Sequence, residues 1–174
     1  ERPGRLELTI AGKPFTLTGR ADRIDILADG SARIVDYKTG DVPSAQQVII
    51  GLAPQLTLEA AMLADGGFRD IAPHPTSELV YVKLSGGNPP GRFVSLNPEN
   101  AKGAARKLPE QHGLETCDQL ADFALARLKA LIAHYADPNS PYRPIPRPKW
   151  KKRYGSYDHL ARIKEWASET GGDE

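Results

Sequence analysis

The chain has 174 residues and a formal net charge of only +1. Hydrophobic residues make up 40% of it and charged residues 26%. These values are ordinary for one globular domain and argue against disorder. No apolar run approaches the roughly 18 residues of a membrane span. The single cysteine, Cys117, excludes a disulfide, a thiolate zinc cage and a four-cysteine iron-sulfur cluster within the chain, so we expect a protein of the reducing cytoplasm.

The first forty residues predict strands. Apolar and polar residues alternate over 5–10 and 15–17, on either side of Gly12-Lys13-Pro14, which indicates a hairpin. A second hairpin is predicted from a strand over 19–27, a turn at Asp29-Gly30 and a strand ending at Tyr37. Three or four consecutive strands result.

Helices and further strands follow. A capping box that begins at Ser44 predicts a short helical turn, and Pro54 suits the first position of a helix reaching about Ala64. Strands are expected over 78–84 and 93–96. This order predicts an α/β fold with a central mixed sheet flanked by helices.

The third quarter of the chain is predicted to be helical. Asn97 and Pro98 fit the start of a helix that reaches about Leu108. A second capping box at Thr116 opens a longer helix with an apolar face that begins at Leu120.

Asp36 and Lys38 lie two residues apart at the end of an apolar strand, so their side chains share one face. A carboxylate there can hold Mg²⁺, and an adjacent ammonium can orient or help deprotonate an attacking water, as phosphodiester hydrolysis requires. The backbone carbonyl of Tyr37 can supply another oxygen. Acid-x-Lys triplets also arise by chance at solvated strand ends, which is the alternative interpretation.

Asp22 lies on the preceding predicted strand, and hairpin pairing can place it beside Asp36. Two carboxylates so close favour a bound cation, because like charges otherwise repel and one takes up a proton. The alternative is that Asp22, Arg23 and Asp25 are exposed strand charges that pair with one another, and for Asp25 this is the preferred interpretation.

Gln55 opens the helix after this strand, and Glu59 faces the same way four residues later. An amide there can donate to a phosphate oxygen or to a water on the metal. A polar helix terminus exposed to solvent is the alternative.

In combination, residues 19–25 (GRADRID), 34–40 (IVDYKTG) and 53–56 (APQL) resemble the RecB-like nuclease domain at the C-terminus of bacterial AddB proteins, and 157–162 are similar to that family too. The resemblance implies a PD-(D/E)XK, restriction-endonuclease-like core of the order αβββαβ. It implies that Asp22 and Asp36 bind Mg²⁺ or Mn²⁺, that Lys38 is the catalytic lysine and that Gln55 begins a Gln-x-x-x-Tyr motif.

The resemblance also implies partners: DNA, an AddA-type helicase subunit and the rest of an AddB chain, in double-strand break repair and recombination. Three departures from the family stand out. Glu59 occupies the aromatic position of the Gln-x-x-x-Tyr motif. The helix that precedes the first strand in the family is expected to be missing from this piece, and the iron-sulfur cluster of many AddB proteins is excluded within this chain.

Residues 142–153 hold six of the 23 basic residues and no acid, so a small total charge hides a basic segment on a mildly acidic body. Basic and aromatic side chains of this kind can bind phosphates and stack on bases; the alternatives are a strap across the domain or a subunit-docking surface. The predicted DNA-binding residues are Arg147, Lys149, Trp150, Lys151, Lys152 and Arg153. We expect a nuclease core over 1–137 and a Pro-rich strap with a C-terminal helix over 138–174.

Two functions follow from the sequence. The first is a Mg²⁺-dependent deoxyribonuclease with Asp22, Asp36, Lys38 and Gln55 in its centre. The second is a DNA-holding or subunit-docking domain whose nuclease centre is vestigial or incomplete.

Overall fold

The computed structural model describes residues 1–101 and 104–141, and the chain divides into two units, Glu1–Ala133 and His134–Glu174. The basic segment with its six predicted DNA-binding residues and the predicted C-terminal helix lie outside the described residues, so the predicted strap stays a prediction. The described elements are β1 (Arg2–Ile10), β2 (Lys13–Ala21), β3 (Arg23–Ile26), β4 (Ala32–Lys38), α1 (Ala45–Ile49), α2 (Gln55–Ala64), β5 (Thr76–Leu84), β6 (Gly91–Ser95), a 3-10 turn (Pro98–Asn100), α3 (Ala104–Gln111) and α4 (Cys117–Ala136).

β1 and β2 form an antiparallel hairpin, as predicted. Its turn is Ala11-Gly12, where both residues have positive φ angles of 50° and 73°, the backbone of a two-residue hairpin turn; the sequence placed the turn one residue too late. The hairpin is attached to the end of α2 through Gly67, whose carbonyl accepts from the N–H of Arg5 at 2.9 Å. A Cβ on Gly67 would lie 2.3 Å from the Arg5 carbonyl oxygen, so the contact requires glycine.

A second sheet has the strand order β3-β4-β5-β6. β4 pairs antiparallel with β3 and parallel with β5, and β6 is antiparallel to β5, so the sheet is mixed as predicted. The turn between β3 and β4 spans residues 27–31 and contains the predicted Asp29-Gly30 pair, with Gly30 at a φ of 83°. A parallel pair needs a crossover connection, which α1 and α2 provide.

The predicted strand over 19–27 is wrong in one respect: the chain forms two strands that meet at Asp22. Up to Ala21 the chain pairs with β1, and from Arg23 onward it pairs with β4. Asp22 therefore lies where the chain exchanges one pairing partner for another, which alternation of apolar residues alone does not reveal.

α2 is buried on all sides rather than on one face. Leu56, Ala60 and Leu63 are buried as predicted, and so are Thr57 and Glu59, because the helix contacts β1 and β2 as well as β4 and β5. It begins one residue later than predicted, since Pro54 is its N-cap and not its first residue.

The predicted helix from Asn97 to about Leu108 is also wrong at its start. The Asn97 side chain does not cap it: Oδ1 accepts from the N–H of Leu79 at 3.1 Å and Nδ2 donates to the carbonyl of Ser77 at 2.8 Å. A 3-10 turn follows, and the helix α3 begins at Ala104. The buried asparagine instead satisfies backbone groups of β5.

α4 begins with the predicted capping box, in which the Gln119 N–H donates to Thr116 Oγ1 at 3.2 Å and the Thr116 N–H donates to Gln119 Oε1 at 3.1 Å. Its predicted apolar face is buried at Leu120 but 45% exposed at Leu131. Among the described residues, no helix combines the length and apolar character needed to cross a membrane.

Candidate active site

Asp36 and Lys38 project from the core-facing side of β4 and form an ion pair, with 2.7 Å between Lys38 Nζ and Asp36 Oδ2. The prediction that they share a face is therefore confirmed. Asp36 is 2% exposed, whereas the Lys38 side chain is 29% exposed because it stands at the open end of the strand. A buried carboxylate is thus paired with an ammonium that reaches solvent.

Asp22 adjoins this pair. Arg23, the first residue of β3, pairs with Val35 in the antiparallel register, and Asp22 immediately precedes it, beside the part of β4 that carries Asp36. Asp22 Oδ2 accepts a hydrogen bond from the N–H of Tyr37 at 2.9 Å. The carboxylate is therefore fixed to the backbone between Asp36 and Lys38.

Asp25 plays no part in this cluster. It lies on the opposite side of the sheet and accepts from Arg23 Nε at 2.7 Å, which is the arrangement that the sequence favoured for it. An open cleft of about 510 Å³ on that side is lined by these two residues and by Val35, Val80 and Phe93 among others. The cleft and the carboxylate cluster are separated by the sheet, because side chains alternate along β4.

Gln55 and Glu59 extend the cluster into α2. Lys38 Nζ donates to Asp36 Oδ1 at 3.0 Å and to Gln55 Oε1 at 3.2 Å. Gln55 Nε2 in turn donates to Glu59 Oε1 at 3.1 Å. The structure therefore joins all four side chains in one chain of hydrogen bonds.

Glu59 is 3% exposed, and burial raises its pKa from 4.5 to about 7. The hydrogen bond from Gln55 lowers this pKa, whereas the charges of Asp36 and Asp22 raise it further. The charges of both aspartates thus act on the same buried group.

Tyr81 is a member of the cluster that the sequence did not identify. It lies opposite Asp36 in the parallel β4–β5 register and is 1% exposed. Burial, together with the charges of Asp36 and Glu59, raises its pKa, and Lys38 Nζ lies 5.9 Å from the centre of its ring, at the outer range of a cation–π contact. Only the parallel register could have indicated it.

The donor set of the cluster fits a hard divalent cation, which prefers oxygen ligands. In the described part of the chain, Glu59 Oε2 is buried and accepts no hydrogen bond, and Asp36 Oδ2 has only its ion-pair contact with Lys38. No group of three or more His, Cys, Asp or Glu within 1–101 and 104–141 is arranged to hold a metal. Asp22 and Asp36 would therefore need the Tyr37 carbonyl and oxygens from outside the protein to complete a ligand set.

A family model of the PD-(D/E)XK nuclease superfamily matches residues 1–150. The chain belongs to the PD-(D/E)XK nuclease superfamily. This confirms the predicted fold class, and the mixed sheet β3–β6 with its helices is the α/β core of the fold. Members of the superfamily are typically nucleases that depend on divalent metals, commonly Mg²⁺.

Relatives of this PD-(D/E)XK domain occur in Rickettsia. The chain is 38% identical over 90 residues to an uncharacterized protein of Rickettsia conorii. The matching segment covers 49% of this chain and 11% of that protein. It is 44% identical over 68 residues to one of Rickettsia felis, covering 39% of this chain and 8% of the relative. The chain thus spans about a tenth of the length of these relatives. No solved structure gives a significant match.

Proposed function

We propose that this PD-(D/E)XK domain cleaves DNA as the nuclease module of an AddB-type helicase-nuclease subunit, with Mg²⁺ or Mn²⁺ held by Asp22, Asp36 and the Tyr37 carbonyl. The observation that carries the proposal is the position of Lys38, whose ammonium lies between Asp36 and Gln55 with hydrogen bonds of 3.0 and 3.2 Å. The family supports nuclease chemistry, and the motifs around Asp22, Asp36 and Gln55 support the AddB-type assignment.

Each side chain has a distinct task in this proposal. The bound cation supplies Lewis-acid stabilisation of the charge that develops on the phosphate. Lys38 orients the attacking water, and Asp36 holds the ammonium in place through their ion pair. Gln55 is exposed at the mouth of the site and is placed to contact a phosphate oxygen.

The remaining partners are proposals that rest on the resemblance. An AddA-type helicase subunit and the rest of the AddB chain would present broken DNA ends to this domain. The basic residues predicted to bind DNA, from Arg147 to Arg153, would hold the strand beside the site.

The test is cleavage of linear DNA with Mg²⁺, with EDTA as the metal-free reference. Lys38→Ala and Asp36→Asn should each reduce the rate by roughly 100-fold or more, since they remove parts of the chemical centre. Asp25→Asn is the matched control, because Asp25 is a strand aspartate on the opposite side of the sheet. Equal rates in all four proteins would refute a nuclease centre at these residues.

A second candidate function is a DNA-holding or subunit-docking domain with an incomplete nuclease centre. It is favoured by one observation, the lack of a three-ligand group among the described residues. In that case DNA binding would depend steeply on salt and would weaken when Lys151, Lys152 and Arg153 become alanine. Mn²⁺ uptake measured by calorimetry separates the two, because only the nuclease requires it.

A further inference from the structure

We propose that Glu59 is a positioning residue, which orients the Gln55 side-chain amide and thereby fixes the Lys38 ammonium against Asp36. This inference rests on the proposed nuclease function and deepens it. It concerns a residue that makes no hydrogen bond with Lys38 in the described part of the chain and whose hydrogen-bond route to Lys38 runs through Gln55, its neighbour on α2.

The argument begins with the two ends of the Gln55 amide. Oε1 can only accept a hydrogen bond and Nε2 can only donate, so the amide has two orientations related by a flip. Lys38 offers donors alone and a Glu59 carboxylate offers acceptors alone. Their positions at opposite ends of the amide, 3.2 Å from Oε1 and 3.1 Å from Nε2, select one orientation.

Burial explains why the anchor must be Glu59. Gln55 is exposed and belongs to the first turn of α2, so without a fixed partner its side chain would sample several rotamers. Glu59 lies one helical turn further in and is 3% exposed, held by the packing around α2. Its other oxygen, Oε2, accepts no hydrogen bond in the described part of the chain, so the hydrogen bond from Gln55 is the one that its side chain makes there.

Two substitutions separate orientation from packing. Glu59→Leu keeps a buried side chain of similar size but removes the acceptor, so the Gln55 amide is free to flip and to leave Lys38. Glu59→Gln keeps a side-chain oxygen that can accept from Gln55 Nε2, so this variant should retain activity. Thr57→Val is the matched control: Thr57 is a buried polar residue of the same helix, and its hydroxyl donates to the Pro54 carbonyl rather than into the site.

The first readout is steady-state DNA cleavage at saturating Mg²⁺. Glu59→Leu should lower kcat roughly tenfold, because a small displacement of a catalytic group is costly, while KM for DNA stays within about twofold. Glu59→Gln and Thr57→Val should remain within about twofold of the wild-type kcat. In a Gln55→Ala background, Glu59→Leu should have no further effect, because its influence passes through Gln55.

The second readout does not need activity. In a nitrogen-15 NMR spectrum the side-chain NH₂ of Gln55, assigned by its loss in Gln55→Ala, should be protected from solvent exchange in the wild type and in Glu59→Gln. In Glu59→Leu this protection should be lost. An unprotected Gln55 amide in the wild type overturns the inference. This measurement needs only the wild-type protein, so it decides the question even when Glu59→Leu does not fold.

The two proposals can fail separately. A wild-type chain that cleaves DNA while Glu59→Leu cleaves equally fast, or additively with Gln55→Ala, overturns the role of Glu59 and leaves the nuclease intact. A wild-type chain that neither cleaves DNA nor binds Mn²⁺ overturns the proposed nuclease function. The exchange protection of the Gln55 amide then still shows whether Glu59 orients that amide.

Discussion

Replacing Glu59 by glutamine should stabilise the metal-free protein in a pH-dependent manner. Burial raises the pKa of Glu59 in the folded chain to about 7 from 4.5. As the pH rises from 4.5 to 7, Glu59 loses its proton in the unfolded chain but keeps it in the folded chain. The free energy of unfolding of the wild type therefore falls across this interval and stays level above pH 7. This pKa difference corresponds to a loss of about 3 kcal/mol in the free energy of unfolding. The figure is an upper value, because water near the exposed Gln55 side chain screens the Glu59 charge.

Glutamine resembles the protonated acid and cannot ionise. Glu59→Gln should therefore match the wild type near pH 4.5 and exceed its free energy of unfolding by up to about 3 kcal/mol at pH 8. Urea denaturation in EDTA, followed by far-UV circular dichroism between pH 4.5 and 8, measures this difference.

Glu78→Gln is the control, because its hydrogen bond with Arg33 lowers the pKa of Glu78. The stability that Glu78 contributes is present above its ordinary pKa, so its difference from the wild type should stay constant from pH 5 to 8. A constant difference for Glu59→Gln as well would refute a raised pKa at Glu59.

Three further results are expected. Lys38→Met should lower the free energy of unfolding by about 2 kcal/mol in EDTA, because it leaves the buried Asp36 without its cation; an unchanged melting temperature would contradict this. Gly67→Ala should cost about 2 kcal/mol or more, because the added Cβ meets the backbone of β1 at 2.3 Å, whereas Gly40→Ala, which meets nothing within 4 Å, should change little. Cys117, whose pKa burial raises to about 12, should react with a thiol reagent at pH 8 only after urea unfolds the chain; rapid labelling of the native chain would show that it is accessible.

The sequence predicted the parts of the site that depend on short-range periodicity. Asp36 and Lys38 share a face because they are two residues apart on a strand, and Gln55 contacts Glu59 because they are four apart on a helix. The capping boxes at Ser44 and Thr116 also gave correct helix starts, since their hydrogen bonds lie within four residues.

What the sequence did not predict depends on long-range pairing. The strand breaks at Asp22 because the residues before it pair with β1 and those after it pair with β4. The apolar pattern runs on without interruption, so it does not indicate this change of partner. Tyr81 joins the site through a parallel register with β4 across the whole crossover. The burial of Glu59 follows from strands on both sides of α2, where an amphipathic pattern predicts only one covered side.

The turn at residues 27–31 has a larger influence than its distance from the carboxylates suggests. It sets which residue of β3 lies opposite which residue of β4. An insertion or deletion there that slid β3 by one position would move Asp22 away from the Tyr37 N–H that holds it while leaving every β4 residue in place. Relatives with a functional centre should therefore vary the length of this loop only in ways that conserve the alignment of the two strands, and a graft of this hairpin into another protein would have to carry the loop with it.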